Sequence, residues 1–182
     1  MGDVTKEKRE SIRSCVNESL PNQEHSQTDI LLQIPMKPRG KQRARGTVKN
    51  GRAMHYTPKT TRDFERDFAE HARRQMPGKK LCGLLRIEVV AFIQRPKRLM
   101  RKRDPEGPLY CPVTPDADNI LKSCIDSLAW AMEKGDQQVA IASCVKLYSE
   151  KGGQARMLIR IRSLEQDTTE RQTIQRVMFN HV

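Results

Sequence analysis

The residues able to do chemistry fall in one short run. It reads Pro115-Asp116-Ala117-Asp118-Asn119-Ile120-Leu121-Lys122, followed by Asp126 and then Gly135-Asp136. Carboxylates are hard oxygen donors, and two or three of them can hold a magnesium ion that keeps several waters. Beside a phosphodiester, such an ion activates water and offsets the charge growing on phosphate oxygens. A nearby lysine can stabilise that charge or the leaving oxygen. Asp118, Lys122 and Asp126 recur at four-residue spacing and so share one helix face. The same residues have plainer uses. Asp116 and Asp118 suit a helix N-terminus as caps, and Asp126 suits an ion pair with Lys122. Lys122 alone suits a solvated helix face, and Asp136 after a glycine suits a turn. A shared metal also demands closure. A helix of about 17 residues is roughly 25 Å long, so Asp136 must fold back toward Asp116 and Asp118.

Several elements must position this run. Ile120, Leu121, Cys124, Ile125, Leu128, Ala129 and Met132 form one apolar stripe, which predicts a helix from Asp118 to Met132. Trp130 fits a core or dimer-interface position better than a base-stacking one. Upstream, Leu31, Leu32, Ile34 and Met36 predict a strand, stopped by Pro38-Arg39-Gly40. A basic loop or hairpin follows, with a turn at Asn50-Gly51. Phe64, Phe68, Ala72 and Gln75 predict a helix from Thr57-Pro58 to about Met76. Leu84 to Gln94 alternates as a strand should, and the proline-rich stretch from Asp104 to Pro115 reads as an irregular connection. Val139–Tyr148 and Ala155–Arg162 predict two strands, paired as a hairpin around Lys151-Gly152-Gly153. The order β, loop, α, β, loop, α, β, β gives an α+β fold (α/β mixed): a small mixed sheet packed with two main helices. The domain is expected over residues 29–163, with a flexible tail at 1–28 and a second tail at 164–182.

Charge narrows the partner. Lys and Arg number 34 against 22 Asp and Glu, a net charge of +12, which fits a polyanion. From Lys37 to Arg62 there are nine Lys or Arg and no acid, and from Arg95 to Arg103 there are six in nine residues, again without acid. Two such runs in one chain with an acidic cluster suit a nuclease, which needs cations for backbone phosphates and acids for metal. Lys37, Arg39, Lys41, Arg43, Arg45 and Arg52 of the first run are the candidate DNA contacts. Aromatics make up only 4%, which argues against a stacking platform for single strands and for duplex arms. The five cysteines form no C-x-x-C pair, so zinc is not expected and a reducing cytosol is. No apolar run approaches the roughly 18 residues of a membrane helix, and the N-terminus lacks a signal peptide's apolar stretch. A cytoplasmic protein without membrane association is expected.

The stretch PDADNILKSCIDSLAWAMEKGDQQV, continuing to VAIASCVKLYSEKGG and ARMLIRI, resembles the RusA-type Holliday junction resolvases. The shared pattern is Asp-x-Asp-Asn, a lysine four residues past the second Asp, a further helical Asp, and an acid before x-Gln-Val. Asp116, Asp118, Asn119, Lys122, Asp126 and Asp136 stand in those places. Lys146 and Lys151-Gly152-Gly153 also match, and IPMKPRGKQRAR is similar to the family's N-terminal half. The resemblance implies a homodimeric endonuclease dependent on Mg2+, with Mn2+ as a substitute. It would make paired nicks in a four-way DNA junction during recombination or repair, in a bacterial or phage-infected cell. Asp116, Asp118 and Asp136 would bind metal, Lys122 would assist the cleaved phosphate, and Lys146 and the arginines of 37–62 would hold DNA. Asn119 and Asp126 are secondary site candidates. The chain departs from the pattern at Gly135, where many relatives have an acid, and at Met132-Glu133, where an aromatic is common. The competing expectations are a non-catalytic DNA-binding protein on a nuclease scaffold and a nuclease selective for flaps or forks.

Overall fold

A computed structural model describes residues 28–42, 45–49 and 52–164. The expected tails fall almost wholly at 1–27 and 165–182, outside the described residues, as do Arg43 and the Asn50-Gly51 turn. Among the described residues, seven strands form two sheets. The main sheet contains β1 (Asp29–Ile34), β4 (Leu84–Ile93), β5 (Leu109–Tyr110), β6 (Val139–Tyr148) and β7 (Arg156–Leu164), in the order β1-β7-β4-β6-β5. β2 (Arg45–Lys49) and β3 (Arg52–Tyr56) pair separately as a hairpin, with Lys49 opposite Arg52.

The alternation of β4 explains its central place. Leu85, Ile87, Val89 and Ala91 are buried beneath the helices. The opposite face carries cross-strand ion pairs, Arg162 to Glu88 at 2.9 Å and Arg160 to Asp29 at 2.6 Å. Helix α1 (Lys59–Arg73) begins behind Pro58 and buries Thr61, Phe64, Phe68, Ala69 and Ala72 at helical spacing. Helix α2 (Ala117–Leu128) buries Ile120, Ser123, Cys124, Ser127 and Leu128. Both helices join one core with Leu32, Ile34, Met157, Ile159 and Ile161. The mixed α+β architecture is therefore the expected one. α2 is shorter than its apolar stripe predicts, because the chain tightens into a 3-10 turn at Ala129–Ala131. That turn still buries Ala131 and Met132, so the stripe continues without the helix.

Two expectations are corrected. β6 and β7 do not pair as a hairpin. β7 runs antiparallel to β4 on one side, while β6 runs parallel to β4 on the other. β4 is a ten-residue central strand, and both of its backbone edges need partners. The β6–β7 connection crosses the end of β4, where Ser149 N donates to Ile93 O and Gln94 Nε2 donates to Gly153 O. The stretch from Asp104 to Pro115 is likewise not wholly irregular. It contains β5, which pairs with Leu147 and Tyr148 at the end of β6.

These pairings make β1, β4 and β6 run in one direction. Their C-terminal ends share one end of the sheet. There the chain leaves β1 into the first basic segment and leaves β4 into the second, and Cys111 N binds Lys146 O on the way to α2.

Candidate active site

The start of α2 is fixed from two sides. Lys146 on β6 donates to Val113 O at 2.8 Å and Pro115 O at 2.9 Å, pinning the approach to the helix. From the other side comes the segment after β1. Lys41 N donates to Asn119 O at 3.2 Å. A Cβ on Gly40 would lie 3.1 Å from Asn119 Cβ and 3.2 Å from Pro115 Cβ, so the close approach favours glycine there. The basic segment thus lies against the first turns of the acidic helix, a juxtaposition that spacing along the chain does not reveal.

Asp116 occupies the N-cap position, with φ −69° and ψ 152°, and its carbonyl accepts from Ile120 N at 3.0 Å. Its side chain makes no capping hydrogen bond. Asp118 sits in the first turn. Both carboxylates are exposed, and neither has a hydrogen bond or ion pair among the described residues. The helix N-terminus favours negative charge at this place.

One turn further along, ion pairs form a chain. Lys122 Nζ is 3.2 Å from Asp126 Oδ1 and 3.4 Å from Asp136 Oδ2. Lys41 Nζ binds the other oxygen of Asp126 and lies 3.7 Å from Glu65 of α1. The Asp126 side chain is only 15% exposed, whereas Lys122 and Asp136 are more than half exposed. Asp126 first, and then Asp136, hold the Lys122 ammonium above the ordinary lysine pKa. Lys122 is therefore a charged donor across the neutral range.

The loop after α2 does bring Asp136 back beside the helix, but to Lys122. Among the described residues no three His, Cys, Asp or Glu side chains are gathered closely enough to hold a metal. The donor chemistry of Asp116 and Asp118, two uncommitted carboxylates facing solvent, fits a hard divalent cation. Lys37, Arg39 and Arg52 are exposed; Arg43 and the side chain of Arg45 lie outside the described residues. Trp130 packs against the core, with the Arg73 guanidinium 4.7 Å from its ring centroid.

Arg95 behaves unlike the rest of its basic run. It is 2% exposed. It donates to Ser149 O at 2.9 Å, Leu99 O at 3.4 Å, Pro105 O at 2.7 Å and Gly107 O. Nothing in its sequence neighbourhood distinguishes this internal staple from the cations beside it.

Residues 35–162 match the family model described as "Endodeoxyribonuclease RusA". The chain belongs to the RusA family. Over 114 residues it is also 30% identical to the uncharacterized protein YqaN of Bacillus subtilis (strain 168), an alignment covering 60% of this chain and 80% of that protein. Membership indicates an endodeoxyribonuclease, a hydrolase acting on DNA. No helix among the described residues is long and apolar enough to cross a membrane.

The RusA pattern also clarifies the turn that carries Asp136. Gln138, the glutamine of x-Gln-Val, is buried. Its amide nitrogen donates to Leu81 O at 3.2 Å and Gly83 O at 2.7 Å, and its oxygen accepts from Lys134 N at 2.6 Å. Gln138 is thus a positioning residue to which sequence reasoning gave no role, although the motif contained it. Gly135 has φ +70°, where an L side chain is strained even with open space around it. The missing acid of the family pattern therefore coincides with a backbone shape that favours glycine.

Proposed function

We propose that this RusA-family protein is a magnesium-dependent endonuclease that resolves four-way DNA junctions by paired nicks. The observation that carries the reading is the meeting of two opposite features. Two uncommitted carboxylates, Asp116 and Asp118, open a helix against which the basic segment of Lys37, Arg39 and Lys41 is laid. The carboxylates suit Mg2+, or Mn2+ in its place, with Asp136 as a third ligand once Lys122 turns away from it. Bound there, the ion supplies an acidified water and positive charge beside the phosphate oxygens.

The chain's own groups do the rest. Lys122 donates a hydrogen bond to the cleaved phosphate and steadies the leaving oxygen. Asp126, 3.2 Å from the Lys122 ammonium, steadies that lysine. Asn119, exposed beside Asp118, is a further polar contact at the site. Lys37, Arg39, Arg43, Arg45 and Arg52 hold backbone phosphates, while Lys146 keeps the motif in position through Val113 and Pro115. A two-fold homodimer presents two such sites to two strands, which suits symmetric nicking. Recombination and repair in the cytoplasm are the matching setting.

The test compares cutting rates on four-way, flap, forked and linear DNA of matched sequence in magnesium. Fastest cutting of the four-way junction, with paired nicks in strands of like polarity, supports the proposal. Faster cutting of flaps or forks replaces it with the alternative specificity. Tight binding with no cutting of any substrate replaces it with the non-catalytic reading.

A further inference from the structure

Between β4 and β5 the chain makes a strongly cationic excursion. Lys97, Arg98, Arg101, Lys102 and Arg103 are all exposed on it. Its two acids are already engaged: Asp104 Oδ2 accepts from Arg101 N at 2.7 Å, and Glu106 pairs with Lys151 at 2.7 Å. Among the described residues Lys97, Lys102 and Arg103 have no ion-pair partner, and the Arg101 guanidinium has none either. Arg98 differs, since its positive charge lies near the Tyr148 hydroxyl and favours its ionised form.

Like charges this dense repel one another, and left alone they favour an open, mobile loop. Arg95 opposes that. Its buried guanidinium draws the carbonyls of Leu99, Pro105 and Gly107 inward and ties them to Ser149 O at the end of β6. Lys151 N adds a bond to Glu106 O at 3.0 Å. The backbone is held from within, and the cations point outward. The excursion leaves the same end of the sheet at which α2 begins.

We propose that residues 97–103 form a preformed arm that grips the phosphate backbone of a DNA duplex beside the acidic site. The choice of DNA as the polyanion rests on the nuclease reading above. Fixing the backbone beforehand reduces the ordering cost of binding. Met100, 39% exposed, is the one apolar side chain of the arm that stands clear in solvent, which is little for anchoring in a membrane.

The test is the salt dependence of binding to a labelled duplex and a labelled four-way junction, measured without divalent metal. Each phosphate contact contributes about 0.9 to the slope of log affinity against log salt. The variant Arg101→Ser/Lys102→Ser/Arg103→Ser is expected to lower that slope by about two to three. The control Lys79→Ser/Lys80→Ser removes two exposed cations from the chain that enters β4, at the opposite end of that strand from the arm, and is expected to leave it unchanged. The three single arm variants, each lowering the slope by about 0.9, serve if the triple variant does not fold. An unchanged slope in the arm variants, or an equal fall in the control, overturns the proposal. Weakened binding to phosphatidylserine vesicles with DNA binding unchanged overturns it in favour of a membrane. Because no cutting is required, a protein that binds through the arm and never cleaves leaves the arm standing and removes the nuclease reading alone.

Discussion

Asp126→Asn changes one charge at the centre of the ion-pair chain and almost no volume. Asp126 is 15% exposed and receives Lys41 on one oxygen and Lys122, at 3.2 Å, on the other. Exposed ion pairs contribute roughly 0–1 kcal/mol, whereas breaking a buried pair costs about 3–5 kcal/mol. The carboxylate is nearly buried but its partners are not, so about 2 kcal/mol of folding stability should be lost, between those limits. Urea unfolding at neutral pH measures this directly. Part of the loss should fade in high salt, because Lys122 is exposed and its pair is screened. The pH sign follows from Lys122, whose folded pKa is raised chiefly by Asp126 and then by Asp136. A raised lysine pKa contributes fully below the unfolded value, about 10.4, and is lost as pH rises through the folded value. The gap between wild type and variant should therefore hold steady from neutral pH to about pH 9 and narrow only above about 10.4. NMR of the Lys122 side chain in metal-free buffer should show its pKa falling in the variant. Equal stability and an unmoved Lys122 titration would refute the view that Asp126 organises the site.

Other outcomes follow from the same geometry. Arg95→Met removes the donor to four backbone carbonyls, so trypsin should cut between Arg98 and Arg103 at least tenfold faster than in wild type; an unchanged digestion pattern would contradict the staple role. Gly40→Val places side-chain atoms where Asn119 Cβ and Pro115 Cβ already stand, at 3.1 and 3.2 Å from a bare Cβ. Junction cutting should fall by more than tenfold while the melting temperature moves by only a few degrees; wild-type activity would deny that the segment must lie on α2. Burial pushes the Cys144 thiol up to about 11 and the Cys124 thiol higher still, while Cys82 is exposed. Iodoacetamide at pH 8 should therefore label Cys82 well before either of them, as followed by mass spectrometry; equal labelling of Cys124 would contradict its burial.

Much of this was legible in the sequence, and the misses have physical causes. β4 and both helices announce themselves through periodicity, because one face of each is buried. The Lys122–Asp126 pair follows from four-residue spacing alone. Strand partners are another matter. Val139–Tyr148 and Arg156–Leu164 are evident strands, but the demand of β4 for neighbours on both edges places them on opposite sides of it. The apolar stripe through Met132 is real although the helix stops earlier, since a 3-10 turn can bury the same side chains. Arg95 was indistinguishable from the cations around it until its burial was known. The return of Asp136 to Lys122, with Gln138 bracing the turn, depends on contacts between distant segments that no local spacing encodes.

The most direct measurement of the central claim is incubation of the purified protein with an end-labelled four-way junction, with and without magnesium, beside the Asp118→Asn variant. Paired nicks from the wild type only when magnesium is present, with Asp118→Asn binding the junction but leaving it intact, is the predicted result. Nicking that persists without metal or in the variant, or no nicking under any condition, would contradict a magnesium-dependent site at Asp116 and Asp118.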